Sequence, residues 1–434
     1  LRQCCMWLSS LSEDAITLED ADPEAAGLKK AARRTGKSTV IVTKMEKRLD
    51  RGLPFVTIES LMDAPIEQRE IRMVDLGYQQ DRIRSGLERN LHGILHHGGF
   101  IQGPEISLLE QRLAHYVGVD ECIAVSSGTD ALLIALMALG IGPGDEVITT
   151  PMSWIATVNA IVVSGATPVF VDVRTDLNVD PDRIIEAITP RTKAILPVHY
   201  TGHMCDMDTI CEIADNYGLI VVEDAAQAFG AKNRHRAAGS FGKVACFSMN
   251  AMKVLHSYGE AGAILTDDKT IRDRMISLRY AGTVNREDCV IPSLNFRMHT
   301  LQAALLLVEL KRLDSVIERR RKIAANYDNL LGDVVMCPEA NVGSESVYYT
   351  YTIQVEKRDA LREFMAKNNI ETKIHHPILM PYHTAYNGRF SPDIPIAERA
   401  VQRILSIPNH ENMTDDEVDY VASTILHFYS NKTA

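Results

Sequence analysis

The sequence predicts an α/β fold: a large domain on a mostly parallel sheet, followed by a smaller α+β C-terminal domain. Three observations predict it. From Val74 onward, apolar runs of four to six residues alternate with stretches of helical periodicity, the pattern of βα units. After Gln302 the pattern changes to long amphipathic helix, then to short strands mixed with helices. A chain of 434 residues, 46% hydrophobic and 24% charged, has the composition of an ordinary globular protein with room for more than one core. The expected divisions are an N-terminal extension of unknown role at 1–70, the large domain at 71–310 and the small domain at 311–434.

The first 70 residues mix charged helical stretches with one β-like run at 39–43. Their basic cluster of Lys29, Lys30, Arg33, Arg34 and Lys37 reads as a solvated helix face. The first clear βα unit is a strand at 122–125, a turn Ser126-Ser127-Gly128-Thr129 and a helix from Asp130 that Gly140 stops. A second runs from a strand at 146–149 through Pro151 to a helix at 155–164 and a strand at 168–171. Buried strands are expected at 194–198, 219–222, 244–248 and 263–266, being short apolar runs bounded by polar residues. One long helix is expected from Ala303 to Leu331, then a strand at 348–355 and helices at 359–368, 396–405 and 414–429.

Composition excludes several classes of function. A formal net charge of -11 argues against a general nucleic-acid binder, whose footprint is basic. No apolar run reaches the ~18–20 residues that cross a bilayer. The 8 cysteines are scattered, without a C-x-x-C pair or zinc-ligand spacing, so no metal is expected and a reducing cytoplasm fits best. A P-loop reading of Thr35-Gly36-Lys37-Ser38 fails, because Ala31 stands where the first glycine belongs and the string follows helix-like sequence rather than a strand.

Ligands of open α/β sheets gather beyond the carboxyl ends of the strands. The residues found there are Ser127, Gly128, Thr129, Trp154, His199, Glu223, Asp224, Gln227 and, shortly after Ser248, Lys253. A glycine turn feeding a helix offers free amides and the positive end of the helix dipole, which suits a phosphate, although Ser-Gly-Thr is also an ordinary helix cap. Asp224 ends a fully apolar run, so its carboxylate either holds the N–H of a pyridinium ring or caps a helix at 225–229. Lys253 stands in the nearly uncharged segment Asn250-Ala-Met-Lys253, where a low-polarity setting makes an amine nucleophile. Trp154 either packs in the core or stacks on a flat cofactor.

Several strings, in one order over roughly residues 71–430, resemble the DegT/DnrJ/EryC1/StrS family of pyridoxal-phosphate-dependent sugar aminotransferases. They are Phe100-Ile-Gln-Gly-Pro-Glu105, Ser127-Gly-Thr-Asp-Ala131, Gly142-Pro-Gly-Asp-Glu-Val147, Glu223-Asp-Ala-Ala-Gln227, Phe247-Ser248 ahead of Lys253, Gly259-Glu260-Ala-Gly262, and Asn295-Phe-Arg297 leading into Leu301-Gln302-Ala303-Ala304. The resemblance implies the fold-type-I PLP-dependent transferase fold. It implies that Lys253 binds pyridoxal 5′-phosphate as a Schiff base, Asp224 pairs with the ring nitrogen, Gln227 meets the ring hydroxyl and Trp154 stacks on the ring. Gly128, Thr129 and Ser248 then hold the phosphate. A homodimer with shared active sites follows, in which Asn295 reaches the phosphate of the neighbouring subunit, and Arg297 and His375 touch substrate from across the interface. The chain departs from the family's pattern at Ala261, where a glycine is usual, at Asn250, where His or an aromatic is common, and over its first 70 residues.

The function that follows is transfer of an amino group from an amino acid, with L-glutamate the expected donor, to a keto sugar acceptor, a 3-keto nucleotide-linked sugar, in amino-sugar and polysaccharide biosynthesis. Lys253 carries the proton in both half-reactions. The alternatives are a 4-keto nucleotide sugar or an inosose as acceptor, or a non-catalytic regulator that binds PLP or sugar. The presence of Lys253, rather than histidine, favours transamination over the dehydratases of the same fold.

Overall fold

A computed structural model of the chain describes residues 70–339 and 343–430. The 39–43 run, the basic cluster, Cys4, Cys5 and the 35–38 string lie outside the described residues.

The chain enters through helix α1 (Leu76–His97) and α2 (Pro104–Val117). Pro104 opens α2 with its φ already helical, and Gly118 closes it at φ 85°, a left-handed value that costs glycine little. The main sheet then takes up β1 (Glu121–Val125), β2 (Glu146–Thr149), β3 (Thr167–Phe170), β4 (Thr192–Leu196), β5 (Ile220–Asp224), β6 (Val244–Ser248) and β7 (Gly262–Thr266). Their spatial order is β1-β7-β6-β5-β4-β2-β3. Every neighbouring pair is parallel except those β7 makes with β1 and β6. This is the mostly parallel sheet expected, with one reversed strand that periodicity could not orient.

Both faces of the sheet are covered, which is why its strands read as unbroken apolar runs. Cys122 and Ala124 of β1 face a core with α2 and α6 (Met207–Tyr217), whereas Ile123 and Val125 face another with α3 (Gly128–Ala138) and α4 (Ala156–Val163). Leu109 and Leu113 of α2 are fully buried, so truncating either to alanine should cost about 2–5 kcal/mol.

Two expected helices need correction, as does the helix end expected at 404–405, which belongs to a strand. No helix forms at 225–229; the segment is a turn. The long helix expected from Ala303 is two, α8 (Thr300–Leu310) and α9 (Leu313–Leu331), broken at Lys311 and Arg312. Neither residue is a helix breaker. At the break Arg312 turns back, its backbone N–H donating to the Glu309 carbonyl at 2.9 Å and its guanidinium 3.3 Å from the Glu309 carboxylate.

The remaining chain builds a second, two-stranded antiparallel sheet from β8 (Tyr351–Gln354) and β9 (Ile404–Ile407). Helix α9, α10 (Arg358–Lys367) and α12 (Asp415–Ser430) pack on it through a third core that includes Tyr327, Tyr351, Leu361 and Ile425. β8 is shorter than the expected 348–355 run. The segment 373–376, bridged through Lys373 to Ser406 of β9, is thereby brought against the carboxyl edge of the main sheet.

Candidate active site

A cavity of about 770 Å³ opens at the carboxyl edge of the main sheet, where β1, β5 and β6 end. Because β7 runs the other way, its first residue, Gly262, lies at this same edge, paired with Val125 on one side and Ser248 on the other. The approach is too close for a side chain: a Cβ on Gly262 would stand 2.2 Å from the Ser127 carbonyl oxygen, and one on Gly128 2.6 Å from Ser248 Cβ. The two glycines let the β1–α3 turn press against β6 and β7.

Lys253, Asp224, Gly128, Thr129, Trp154, Gln227, Ser248 and His375 all line this cavity. The Ser127 hydroxyl caps α3 by accepting the Asp130 N–H at 3.1 Å. The Gly128 and Thr129 amides have no acceptor among the described residues, which leaves an anion cradle at the helix start.

Side chains alternate across a strand, and the two adjacent carboxylates at the end of β5 divide accordingly. Glu223 points away from the cavity. Burial pushes its carboxyl up, but the His199 ring and the amides of Gly242 and Gly239 outweigh this and hold it below the usual range. His199 Nδ1 accepts the Cys205 N–H at 3.2 Å, so Nε2 carries the proton donated to Glu223. The His199–Glu223 pair, fully buried, is therefore structural. Asp224 faces the cavity. Burial pushes its carboxyl up, against the Thr157 hydroxyl that donates to Oδ2 at 2.7 Å and the Ala226 N–H at 3.2 Å. With no helix at 225–229, Asp224 caps none.

Lys253 follows β6 in a turn closed by its own N–H to the Asn250 carbonyl at 2.9 Å. The loop around it is tied by Ala251 N–H to Gly259 O at 3.0 Å and by the Asn250 amide to Glu260 at 2.6 Å. Lys253 Nζ sits 4.3 Å above the Tyr349 ring, a cation–π contact. Gln227 Oε1 accepts the Thr201 N–H at 2.9 Å, leaving its NH2 as a donor. Trp154 is 61% exposed, which removes the core-packing alternative.

His375, expected to act from a neighbouring subunit, lines the cavity of its own chain. Its Nδ1 meets Ser406 Oγ at 2.9 Å; burial, with His376, Lys373 and Lys253 nearby, brings its ring down to about 3. His376 is likewise brought down to about 3, by burial first and then Lys253 and Lys373. It adopts φ 54°, unusual for a residue with a Cβ and often found at functional sites. Asn295 and Arg297 do not join Lys253 within the chain. They bond each other at 2.7 Å, with the Arg297 guanidinium 4.4 Å from the Tyr280 ring centre, and neither lines the cavity.

Thr157, Tyr349, His376 and Lys373 also line the cavity and were not singled out from sequence. The doubled histidine at 375 and 376 was the one legible signal. Thr157 lies 67 residues from the carboxylate it orients, and no local pattern links them.

A mostly parallel sheet sandwiched by helices, with a cavity at its carboxyl edge, and close superposition on solved enzymes define a fold-type-I PLP-dependent transferase. The chain belongs to the DegT/DnrJ/EryC1/StrS aminotransferase family, whose model matches residues 81–426. It is a PLP-dependent aminotransferase. It is 37% identical over 360 residues to the UDP-2-acetamido-2-deoxy-3-oxo-D-glucuronate aminotransferase of Pseudomonas aeruginosa, covering 82% of this chain and 100% of that one. Among solved structures it is similar to S. venezuelae DesV in complex with a ketimine intermediate (TM-score 0.81, 36% identity, 83% of this chain and 98% of the other). It is also similar to Bacillus subtilis ntda with bound cofactor PMP (TM-score 0.76, 30% identity, 87% of this chain and 86% of the other). Among the described residues no helix is long and apolar enough to cross a membrane.

Proposed function

We propose that this enzyme moves the amino group of L-glutamate onto the ketone of a nucleotide-linked sugar, at carbon 3, with Lys253 and Asp224 as its catalytic residues. The observation that carries the reading is the meeting of an amine, a buried carboxylate and a helix-start anion cradle on one cavity wall. These groups fit pyridoxal phosphate: Gly128 and Thr129 amides with the Ser248 hydroxyl for the phosphate, the Gln227 NH2 for the ring hydroxyl, and the exposed Trp154 face for the ring. The choice of carbon 3 is supported by the 3-oxo substrate in the name of the Pseudomonas aeruginosa relative.

When bound, the cofactor supplies an electron sink for the substrate carbon that changes its bonding. Asp224, raised by burial, gains a cationic partner in a protonated ring nitrogen and holds that proton in place, while Thr157 and Ala226 fix the carboxylate's direction. Lys253 Nζ takes the proton from the amino acid's α-carbon in the first half-reaction. In the second it delivers one to the former ketone carbon. His375 and His376, both neutral, line the substrate side as hydrogen-bonding groups without adding charge.

Asn295 and Arg297 reach the cavity of a second copy in a homodimer, which accounts for their separation from Lys253 in the single chain. Exposed apolar Phe100, Ile101 and Leu294 supply surface for that contact.

The test is a panel of 3-keto and 4-keto nucleotide sugars with glutamate or glutamine, read by the mass of the amino product. Amination of a 3-keto sugar with glutamate is expected; product from 4-keto sugars alone would overturn the position assigned. Glutamate alone should bleach the visible absorption of the bound cofactor, and an unchanged spectrum would point to a non-catalytic binder instead.

A further inference from the structure

Beyond β9 the cavity wall carries a polar side chain that the reaction above does not use. Asn409 lines the cavity and is 3% exposed, yet neither Oδ1 nor Nδ2 has a hydrogen-bond partner among the described residues. Its backbone is well held, the carbonyl accepting from Arg320 Nη1 at 2.7 Å. Ser406 of β9 meets Thr352 at 2.8 Å and His375 at 2.9 Å, whereas His410 Nδ1 and Arg320 Nε, beside Asn409, also lack partners among the described residues. A buried carboxamide bare at both ends destabilises the chain that carries it, and such groups call for a function or a missing partner. An apolar residue would line the same wall without that penalty.

We propose that Asn409 is a substrate-recognition residue whose carboxamide receives a neutral group that both donates and accepts a hydrogen bond. A carboxylate would satisfy Nδ2 but face the lone pairs of Oδ1; an ammonium would do the reverse. A sugar hydroxyl, or the terminal carboxamide of an L-glutamine donor, matches both. Both amide atoms are sealed from solvent in this conformation, so a ligand engages them only with a turn about the asparagine's broad, two-fold terminal torsion. The inference rests on the amino-transfer reading of this cavity, and it adds a determinant of which substrate is accepted.

The experiment compares Asn409→Leu with the wild type as cofactor-loaded enzyme, using L-glutamate, L-glutamine and UDP-N-acetyl-3-dehydro-D-glucosamine as probes. Removing an unsatisfied buried amide should raise the melting temperature by about 1–3 °C and leave the cofactor's visible absorption unchanged. One half-reaction should slow by about ten- to a hundredfold. Slowing with the sugar alone identifies a hydroxyl as the partner; slowing with L-glutamine but not L-glutamate identifies the donor's carboxamide. Unchanged rates in both half-reactions overturn the proposal. So does a lower melting temperature, which would make Asn409 a structural residue satisfied by trapped water. If the wild type turns over no sugar, the acceptor reading fails by itself, while the melting shift and the L-glutamine arm still decide Asn409.

Discussion

At the scale of residues, Glu223 and Asp224 show how environment separates identical chemistry. Both are buried at one strand end, yet Glu223 is saturated by an imidazole and backbone amides, while Asp224 keeps one face toward the cavity. Asp224→Ala is therefore expected to lower kcat by about a hundredfold or more while cofactor still binds. Steady-state kinetics on spectroscopically loaded enzyme checks this, and wild-type turnover would remove Asp224 from the mechanism. Thr157→Val, which deletes a 2.7 Å hydrogen bond to the same carboxylate, should cost about tenfold in kcat, with little change in KM. The strand-end residues were legible because polar groups ending apolar runs stand out in sequence. Thr157 and Tyr349 were not, because each meets its partner only across the fold.

At the scale of elements, the β1–α3 turn and the reversed strand β7 depend on each other. Gly262→Ala would place a methyl 2.2 Å from the Ser127 carbonyl oxygen, a contact with backbone that no rotamer relieves. The turn must then move away from β7. Cofactor affinity, measured by titration of the visible band, should fall at least about tenfold, since a loss near 1.4 kcal/mol already gives that factor. Native affinity in that variant would show that the turn does not form the anion cradle. The family string Gly259-Glu260-Ala-Gly262 marked this stretch in sequence, but the strand's direction came only from its pairing with β1 and β6.

At the scale of the whole molecule, several buried histidines make stability depend on pH. Burial lowers His375 and His376 to about 3 and His203 and His410 to about 4. The unfolded chain binds protons at these sites below about 6.5 while the folded chain does not, so stability falls as pH drops from there toward 4. Glu223, lowered in the fold, adds to the loss at the acid end; Asp224, raised, opposes it. The melting temperature should thus decline steadily on acidification below pH 6.5, and a flat profile to pH 4.5 would contradict the burial of these rings. The shared site proposed above makes a second prediction: mixing inactive Lys253→Ala with weakly active Arg297→Ala should restore activity, because a mixed dimer would hold one site with both residues. No recovery on mixing would argue that Arg297 serves its own chain.

The sequence by itself determined the alternation of strands and helices, the ends of the strands where ligands gather, and the amine, carboxylate and glycine turn placed there, because each is written in local periodicity and in short strings. Tertiary structure alone decided that Glu223 is structural and Asp224 faces the cavity, that Trp154 is open to solvent, that His375 lines the cavity of its own chain, and that Asn295 and Arg297 stand apart from Lys253. These outcomes depend on which surfaces meet after distant segments pack, and that information is not carried by any window of the chain.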